Sequence, residues 1–417
     1  MLGLFAAVVA LPICFYGCES ESARWGFARA RLLQQSGDSK QAIEIGKRAI
    51  EKSPKDLRLK LELATWMMNH GQAADALPLI DEAVEKSIPP TYALIVRTGC
   101  LVHLGRTKEA LISYKEIGSQ LSQAESKLPW RLNGLAYFRA LAGVELDRAM
   151  RDIQTAIRDM IADPEITSMI GDFRIGGGRI PFEDLVNAST AMASRHVDKQ
   201  ETVLPVISRR IEVTRLLQDE IQKDCSEAVY SSIQNEFPLD GKEEKEIKKR
   251  AFELSVIRRS LSVLLTVRAI LYQDIGEKEK CLVDRAMIRS YGYDAEKLLA
   301  GLPKDWQCLR IAEKGAQVID TRGMVFAAGK SYRAAEFDFE LAITAAHVVN
   351  SAHDSELFNS VMTNLQHELD RKSTSRSEAV LLNHRVGVFE QMGQKDKAEN
   401  DRSRIRELGF EPGPHLF

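Results

Sequence analysis

The residues whose spacing comes nearest to a known chemical motif lie between Gly323 and Ser331, in the run GMVFAAGKS. A phosphate loop has the pattern GxxxxGK followed by Ser or Thr, and its backbone amides hold phosphates at the start of a helix that follows a strand. Here five residues separate Gly323 from Gly329, and no run of β-forming residues precedes them. We therefore predict that Gly329 and Lys330 form a structural turn.

Two further groups could in principle bind an ion. Three consecutive glycines, 176–178, precede Arg179 and would offer amides and a guanidinium to an anion, but a connecting loop is the simpler interpretation. His347 and His353 are six residues apart, which places them on different faces of a helix and disfavours a shared metal ion. We find no nucleophile motif, carboxylate pair or cofactor fingerprint, so we predict a protein that is not an enzyme and needs neither metal nor cofactor.

The composition favours helices. The 417 residues are 44% hydrophobic and 7% aromatic and include only 13 prolines. Unbranched side chains, which are abundant here, lose little rotamer freedom in a helix. A net charge of −2 gives no field that would recruit a polyanion, so nucleic acid is not expected as a partner. The six cysteines lack the CxxC spacing that would indicate a zinc site.

The N-terminal segment, residues 1–18, is apolar. Its first 17 residues carry no charged side chain, which is close to the minimum for a helix that crosses a hydrocarbon core of about 30 Å. Three interpretations stay open: a retained single membrane anchor, which we favour; a lipoprotein signal processed at Cys18; or the cleaved signal of an exported protein. The side of the membrane on which the rest of the chain lies is also open, because the arginines that follow and a signal-type insertion favour opposite orientations.

A 34-residue repeat dominates the N-terminal third of the chain. Gly37, Gly71 and Gly105 are each 34 residues apart, and an alanine follows each glycine after five positions. An apolar helical pattern precedes each glycine, and a second one follows it. Glycine ends a helix where a left-handed backbone is needed, and small alanines let paired helices approach. The pattern therefore predicts successive helical hairpins.

This pattern resembles the tetratricopeptide repeat family of bacterial helical-repeat proteins, whose 34-residue unit has the same glycine, small residues and closing proline. Pro54 closes the first unit, and Pro89 and Pro90 follow the second. Pro78 departs from the family pattern, because it falls in the second helix of unit two, where it would kink or delay that helix. A looser fourth unit occupies residues 132–157.

The pattern returns towards the C-terminus. Residues 319–343 fit the repeat if Lys330 occupies the turn position, and residues 382–412 fit it through Gly393. Between the two arrays, residues 195–234 and 242–274 show apolar residues at the spacing of two long helices.

These features predict an all-α fold, a tetratricopeptide-like helical-hairpin solenoid in two arrays with an irregular helical insert, preceded by the N-terminal apolar segment. The expected domains are the N-terminal segment (1–18), the N-terminal array (19–157), an irregular loop and helical insert (158–240), a long helix with an array-closing hairpin (241–300) and a C-terminal tetratricopeptide-like pair (301–417).

The resemblance also implies a binding surface, because in this family the first helices of successive hairpins line a concave groove. The family's groove positions, counted onto this sequence, include Arg24, Phe27, Arg31, Arg58, Leu61, Thr65, Met68, Asn69, Tyr92, Ile95, Val102 and His103. Such a mixture of arginine, amide and apolar groups suits an extended peptide or a docked helix. Packing against neighbouring helices is the alternative for some of them, Leu61 and Ile95 above all.

The resulting hypothesis is a membrane-tethered scaffold that binds a protein or peptide in its groove, with no small-molecule substrate. Arg58, Tyr92 and His103 are the strongest candidates for contact with the partner. Two alternatives stay open. One is an enzyme or accessory factor with an active site in residues 158–240, which a buried titratable cluster there would favour. The other is an architectural protein that self-associates through its arrays.

Overall fold

The computed structural model describes most of the chain. The described ranges are residues 21–35, 38–87, 89–119, 128–161, 181–195, 197–234, 241–300, 306–353 and 364–413. Within these ranges the regular secondary structure is α-helical and no strand occurs. The predicted all-α class is therefore confirmed for the described part of the chain.

The helices of the described ranges are short in the N-terminal third and longer after residue 200. In chain order they are α1 (Glu21–Gln35), α2 (Ser39–Lys52), α3 (Leu57–Asn69), α4 (Ala73–Lys86), α5 (Thr91–His103), α6 (Thr107–Ser119), α7 (Pro129–Ala142), α8 (Leu146–Ile161), α9 (Phe182–Ser194), α10 (Gln200–Gln234), α11 (Gly241–Asp274), α12 (Lys278–Ser290), α13 (Ala295–Ala300), α14 (Trp306–Ala328), α15 (Tyr332–His353), α16 (Asn364–Gln391) and α17 (Lys395–Glu407).

Aspartate side chains mark the start of two of the early helices. The carboxylates of Asp38 and Asp56 accept hydrogen bonds from the backbone amides of Gln41 and Leu59, at 3.2 and 3.0 Å. An N-cap of this kind satisfies an amide that has no partner within the helix. Helices α2 and α3 therefore begin where the local sequence supplies a cap.

Glycine ends the first helix of the second and third hairpins. Gly71 and Gly105 have φ angles of 74° and 70°, in the left-handed region where a side chain would be strained. Each turn closes with the paired hydrogen bonds of a Schellman motif, and in the first of them the Gly71 amide donates to the Met68 carbonyl at 3.1 Å. Gly37, the corresponding residue of the first hairpin, lies outside the described residues.

The early hairpins stack in chain order. Each helix from α1 to α6 packs against the next one, and α3 also contacts α5, as first helices of adjacent repeats do. The prediction of successive helix pairs is therefore confirmed. Pro78 lies inside α4, but that helix begins at Ala73, so the start of the helix is not delayed.

Buried small residues make this stacking possible. The alanine five residues after each turn position is fully buried, which confirms the packing role predicted from the repeat. The residue seven positions further along each second helix is buried as well. The six buried residues are Ala42, Ala49, Ala76, Ala83, Ala110 and Ile117.

The chain divides into two compact units. The first comprises Met1–Ala156, Thr321–Ala335 and Leu382–Phe417, and the second comprises Ile157–Asp320 and Glu336–Leu381. Neither unit is continuous in sequence. The domain boundaries expected from the sequence stay a prediction.

The second unit is built around α11, which packs against α9, α10, α12 and α13. Helices α10 and α11 are the two long helices that the apolar spacing predicted. At the start of α11, Lys249 and Arg250 lie within 3.2–4.0 Å of the carboxylates of Glu246 and Glu253. These pairs are three or four residues apart and form the charged face of a helix.

The apolar N-terminal segment, including Cys18, lies outside the described residues. Among the helices that the structure does describe, none is long and apolar enough to cross a membrane.

Helices α6 and α7 approach each other closely at Gly134. A Cβ atom built at this glycine would overlap the hydroxyl of Tyr114, whose ring is buried in the same core. The ring packs against Phe138 with centroids 4.7 Å apart, so it has little freedom to move away.

We predict that Gly134→Ala destabilises the first unit. The added methyl group must displace the buried Tyr114 ring, and overpacking of this kind costs about 1–3 kcal/mol. Urea denaturation followed by circular dichroism measures the change in the free energy of unfolding.

Gly387→Ala is the matched control, because Gly387 lies within α16 and a Cβ atom there meets nothing within 4 Å. This change should leave the stability unchanged or raise it by up to about 1 kcal/mol, since alanine favours a helix over glycine. Equal stability of the two variants would contradict the close contact at Gly134.

Candidate partner-binding surface

Four of the residues predicted to line the groove are buried in the core: Phe27, Leu61, Met68 and Val102. The ring of Phe27 stacks on Trp66 of the next hairpin, with centroids 5.0 Å apart. These four side chains hold the hairpins together, and a partner could not touch them without opening the repeat.

The other predicted residues are at least partly accessible where their side chains are described. Arg31, Arg58, Asn69 and Tyr92 are exposed, and Thr65, Ile95 and His103 are half-buried. The side chain of Arg24 lies outside the described part.

Two of the half-buried residues have structural contacts. The Thr65 hydroxyl donates a hydrogen bond to the Leu61 carbonyl at 2.9 Å. Ile95 packs against the core formed by α5, α6 and α7, which is the alternative that the sequence left open for this residue.

Glu62 connects two of the exposed residues, although the repeat pattern did not single it out. The Nε and Nη2 atoms of Arg31 on α1 each donate to the Glu62 carboxylate on α3, both at 2.6 Å. A bidentate pair of this geometry fixes both side chains better than a single contact does. Glu62 comes four residues after Arg58, and residues four apart lie on one face of a helix. This spacing could have indicated that the two side chains share a face of α3.

Tyr92, on α5, lies close to the charged groups of Glu62 and Arg58. Partial burial is the main cause that raises the pKa of the Tyr92 hydroxyl, the Glu62 carboxylate raises it further, and Arg58 lowers it. The phenol therefore stays neutral near pH 7 and can donate or accept a hydrogen bond. We call Arg31, Arg58, Glu62 and Tyr92 the Arg31–Tyr92 cluster.

The Arg31–Tyr92 cluster offers donors, an acceptor and an aromatic face on three consecutive first helices, α1, α3 and α5. A surface of this composition can contact a peptide backbone and both signs of side-chain charge. The described residues contain no group of three His, Cys, Asp or Glu side chains that could hold a metal ion.

In the fourth hairpin the corresponding face is covered by the chain itself. Tyr137, on α7, is buried, and its hydroxyl lies 3.2 Å from Nε2 of His384 on α16. Met324 of α14 packs against the same core. In this hairpin Tyr137 is therefore engaged by contacts within the same unit.

The run that resembled a phosphate loop is a turn. Gly323 is buried within α14, and Lys330 takes up the left-handed conformation at φ 62° between α14 and α15. The amides of Lys330 and Ser331 donate to the carbonyls of Ala327 and Phe326, at 2.9 and 2.8 Å, so they are not directed at a ligand. The predicted turn at Lys330 is confirmed. Gly176 to Arg179 lie outside the described residues.

The insert contains a buried carboxylate. Asp184 on α9 is fully buried, and its two oxygens accept hydrogen bonds from Nε of Arg210 on α10, at 2.6 Å, and from the hydroxyl of Ser260 on α11. Because both oxygens are engaged, the carboxylate ties three helices together. It is a buried titratable group of the kind that would have favoured an enzyme, but its contacts indicate a structural role.

A cleft of about 660 Å³ lies along α10, and three arginines, Arg209, Arg215 and Arg268, line it. Arg209 pairs with Glu340 at 2.5 Å, and Arg268 donates to both oxygens of Asp284, at 2.8 and 2.6 Å. The charges of Arg209 and Arg268 are therefore compensated by carboxylates of the same unit, while Nη2 of Arg215 contacts the sulfur of Met287 at 2.5 Å.

No protein-family model matches the chain, and no curated protein matches it. A tetratricopeptide repeat protein from Parabacteroides merdae ATCC 43184, solved by crystallography, is 14% identical to this chain, and the similarity covers 85% of this chain and 99% of that chain. The TM-score is 0.31, which is too low to support a conclusion about fold or function.

The class of protein follows instead from the helices described above. The chain is an all-α helical-repeat protein whose hairpins, turns and 34-residue period resemble the tetratricopeptide repeat.

We predict that the pKa of Tyr92 reports its two charged neighbours. Glu62→Gln should lower this pKa, because the carboxylate disfavours the tyrosinate, and Arg58→Gln should raise it, because the guanidinium favours the tyrosinate. Nuclear magnetic resonance of ¹³Cζ-labelled tyrosine measures the titration, and Tyr92→Phe assigns the signal. Glu116→Gln, on the exposed face of α6, serves as the control, and a shift of equal size in that variant would contradict the cluster.

Asp184→Ala should destabilise the second unit by about 3 kcal/mol, because it leaves Arg210 and Ser260 without a buried acceptor. Asp219→Ala, at an exposed position of α10, should change the stability by less than about 0.5 kcal/mol. Chemical denaturation of both variants tests this, and an Asp184→Ala variant as stable as the control would show that the network contributes nothing.

Proposed function

We propose that this protein is a scaffold that binds another protein, and that the partner contacts the Arg31–Tyr92 cluster on the first three hairpins. An all-α hairpin repeat of this kind typically presents side chains on a fixed framework to a partner chain. The resemblance to tetratricopeptide repeats predicts that the first helices face a groove.

The observation that carries the proposal is the arrangement of the cluster itself. A tyrosine, a bidentate ion pair and a second arginine lie at or beside groove positions of three neighbouring helices, and all are accessible. Tyrosine and arginine are the residue types that most often dominate binding energy at interfaces. The packed core beneath them, with Phe27 stacked on Trp66, keeps these side chains in place before a partner arrives.

The partner we favour is an extended peptide or a helix with both acidic and basic side chains. An acidic group would meet Arg58, and a basic group or a backbone amide would meet Glu62. His103 and Asn69, at the C-terminal ends of α5 and α3, would extend the contact along the face.

Tethering to a membrane is a separate part of the proposal, and it rests on the sequence of residues 1–17 alone. Their lack of charge supports an anchor, while a lipoprotein signal at Cys18 or an exported protein are its alternatives. Fractionation of cells with alkaline carbonate extraction separates an integral anchor from a peripheral association.

A photo-crosslinking amino acid at Tyr92 should capture the partner in cells, since this side chain is exposed within the cluster. The same amino acid at Ile112 is the control, because Ile112 is also exposed but lies on α6, the second helix of its hairpin. Mass spectrometry of detergent-solubilised, crosslinked complexes identifies the partner.

Binding of the purified partner should then weaken by at least about 30-fold in the double variant Arg58→Glu and Tyr92→Ala, which corresponds to the loss of about 2 kcal/mol at an interface centre. Lys108→Glu, at an exposed position of α6, should leave the affinity unchanged. Crosslinks at Ile112 but not at Tyr92, together with an unchanged affinity of the double variant, would place the partner on another face.

A further inference from the structure

Helix α1 exposes a stripe of side chains at the N-terminal end of the stacked hairpins. Trp25 is 76% exposed and Leu32 is 67% exposed, and Arg29 lies between them and is also exposed. The three are four and three residues apart, so they lie on one face of the helix. We call them the α1 end face.

The repeat shows what normally covers this face. The residues 34 and 68 positions after Trp25 are Leu59 and Ala93, which are 3% and 1% exposed. Those after Leu32 are Trp66 and Cys100, which are 8% and 0% exposed. The same register positions are thus buried in the second and third hairpins and exposed in the first.

The cover in those hairpins is the second helix of the preceding hairpin. Helix α2 packs against α3, and α4 packs against α5. A Cβ atom at Gly46 of α2 would meet the side chains of Leu63 and Trp66 on α3, and the Cys100 thiol donates to the Ala73 carbonyl of α4 at 3.2 Å.

Arg29, the charged residue of the α1 end face, also has an equivalent in the third hairpin. Arg29 corresponds to Arg97, 68 residues later, and Nε of Arg97 donates to the carboxylate of Asp81 at 2.7 Å. Asp81 lies on α4, the second helix that covers α5. In the third hairpin, the covering helix therefore supplies both the apolar contact and an acid.

We propose that the α1 end face is a docking site for an amphipathic helix of a partner protein, which stacks on α1 as the second helix of a preceding hairpin would and places an acidic side chain against Arg29. Small residues on that helix would face Trp25 and Leu32, as Gly46 faces Trp66. This site is distinct from the Arg31–Tyr92 cluster and does not depend on the proposed groove.

The charge of Arg29 favours an acidic partner helix over two other occupants, a second copy of the chain and residues 1–17. Because Arg29 lies between Trp25 and Leu32, antiparallel pairing of α1 with a second copy would bring the two Arg29 guanidinium groups together, and like charges disfavour that pairing. Residues 1–17 of the chain carry no charged side chain, so they cannot supply the acid.

A synthetic peptide with the sequence of residues 38–53 and the change Lys47→Asp is a suitable probe. Gly46 gives it the small residue that fits beside a bulky partner, and position 47 is the register equivalent of Asp81. The same peptide with its native Lys47 is the matched control. Isothermal titration calorimetry of the full chain measures binding, and the emission of Trp25 should shift to the blue when the ring is covered.

We expect the Lys47→Asp peptide to bind at least about fivefold more tightly than the Lys47 peptide. Arg29→Glu in the chain should reverse this preference, and Trp25→Glu should abolish binding of both peptides. These changes leave the Arg31–Tyr92 cluster intact, so crosslinking at Tyr92 should persist and the two proposals can fail separately.

Absence of saturable binding up to about 1 mM, or equal binding of both peptides to the unmodified chain, would overturn the proposal. Sedimentation analysis and vesicle flotation test the other occupants. A dimer that Trp25→Glu dissociates would assign the face to a second copy, and vesicle binding lost in the same variant would assign it to a lipid surface. Either result would also overturn the proposal.

Discussion

The hairpins of the first unit hold together because small residues let neighbouring helices lie close to one another. Ala42, Ala76 and Ala110 are fully buried in the second helices. At Gly46 this close approach is strict, since a single methyl group would meet Leu63. Dense packing of this kind gives each helix one favourable position relative to its neighbours. The positions of the surface side chains relative to one another are therefore fixed as well.

The division between core and surface follows from that packing. Phe27 and Leu61 occupy positions that face a groove in the tetratricopeptide repeat, but here both are buried, and the Phe27 ring is covered by Trp66. The charged groups that remain outside, Arg31, Arg58 and Glu62, lie close enough to form an ion pair and to change the pKa of Tyr92. The candidate surface therefore depends on the side chains beneath it, because they fill the core and leave the charged groups at the surface.

The second unit uses a different device. Its long helix α11 still ends in a left-handed glycine turn, at Gly276, but buried polar contacts connect it to its neighbours. Asp184 joins α9 to α10 and α11, and Arg268 joins α11 to Asp284 on α12. Buried ion pairs need exact geometry to offset the cost of removing charges from water, so they favour one arrangement of helices over others.

The sequence by itself determined the features that depend on neighbours along the chain. It predicted the helix pairs, the turn at Lys330 and the two long helices, because helical periodicity, capping and turn conformation act over a few residues. Only the tertiary structure decided that Phe27 is buried while Tyr92 is accessible, that Glu62 joins the cluster, and that His384 covers Tyr137. These outcomes depend on contacts between side chains that are 31 to 247 residues apart in the sequence. A repeat period predicts the helices of one hairpin, but it does not predict which other helices pack against that hairpin.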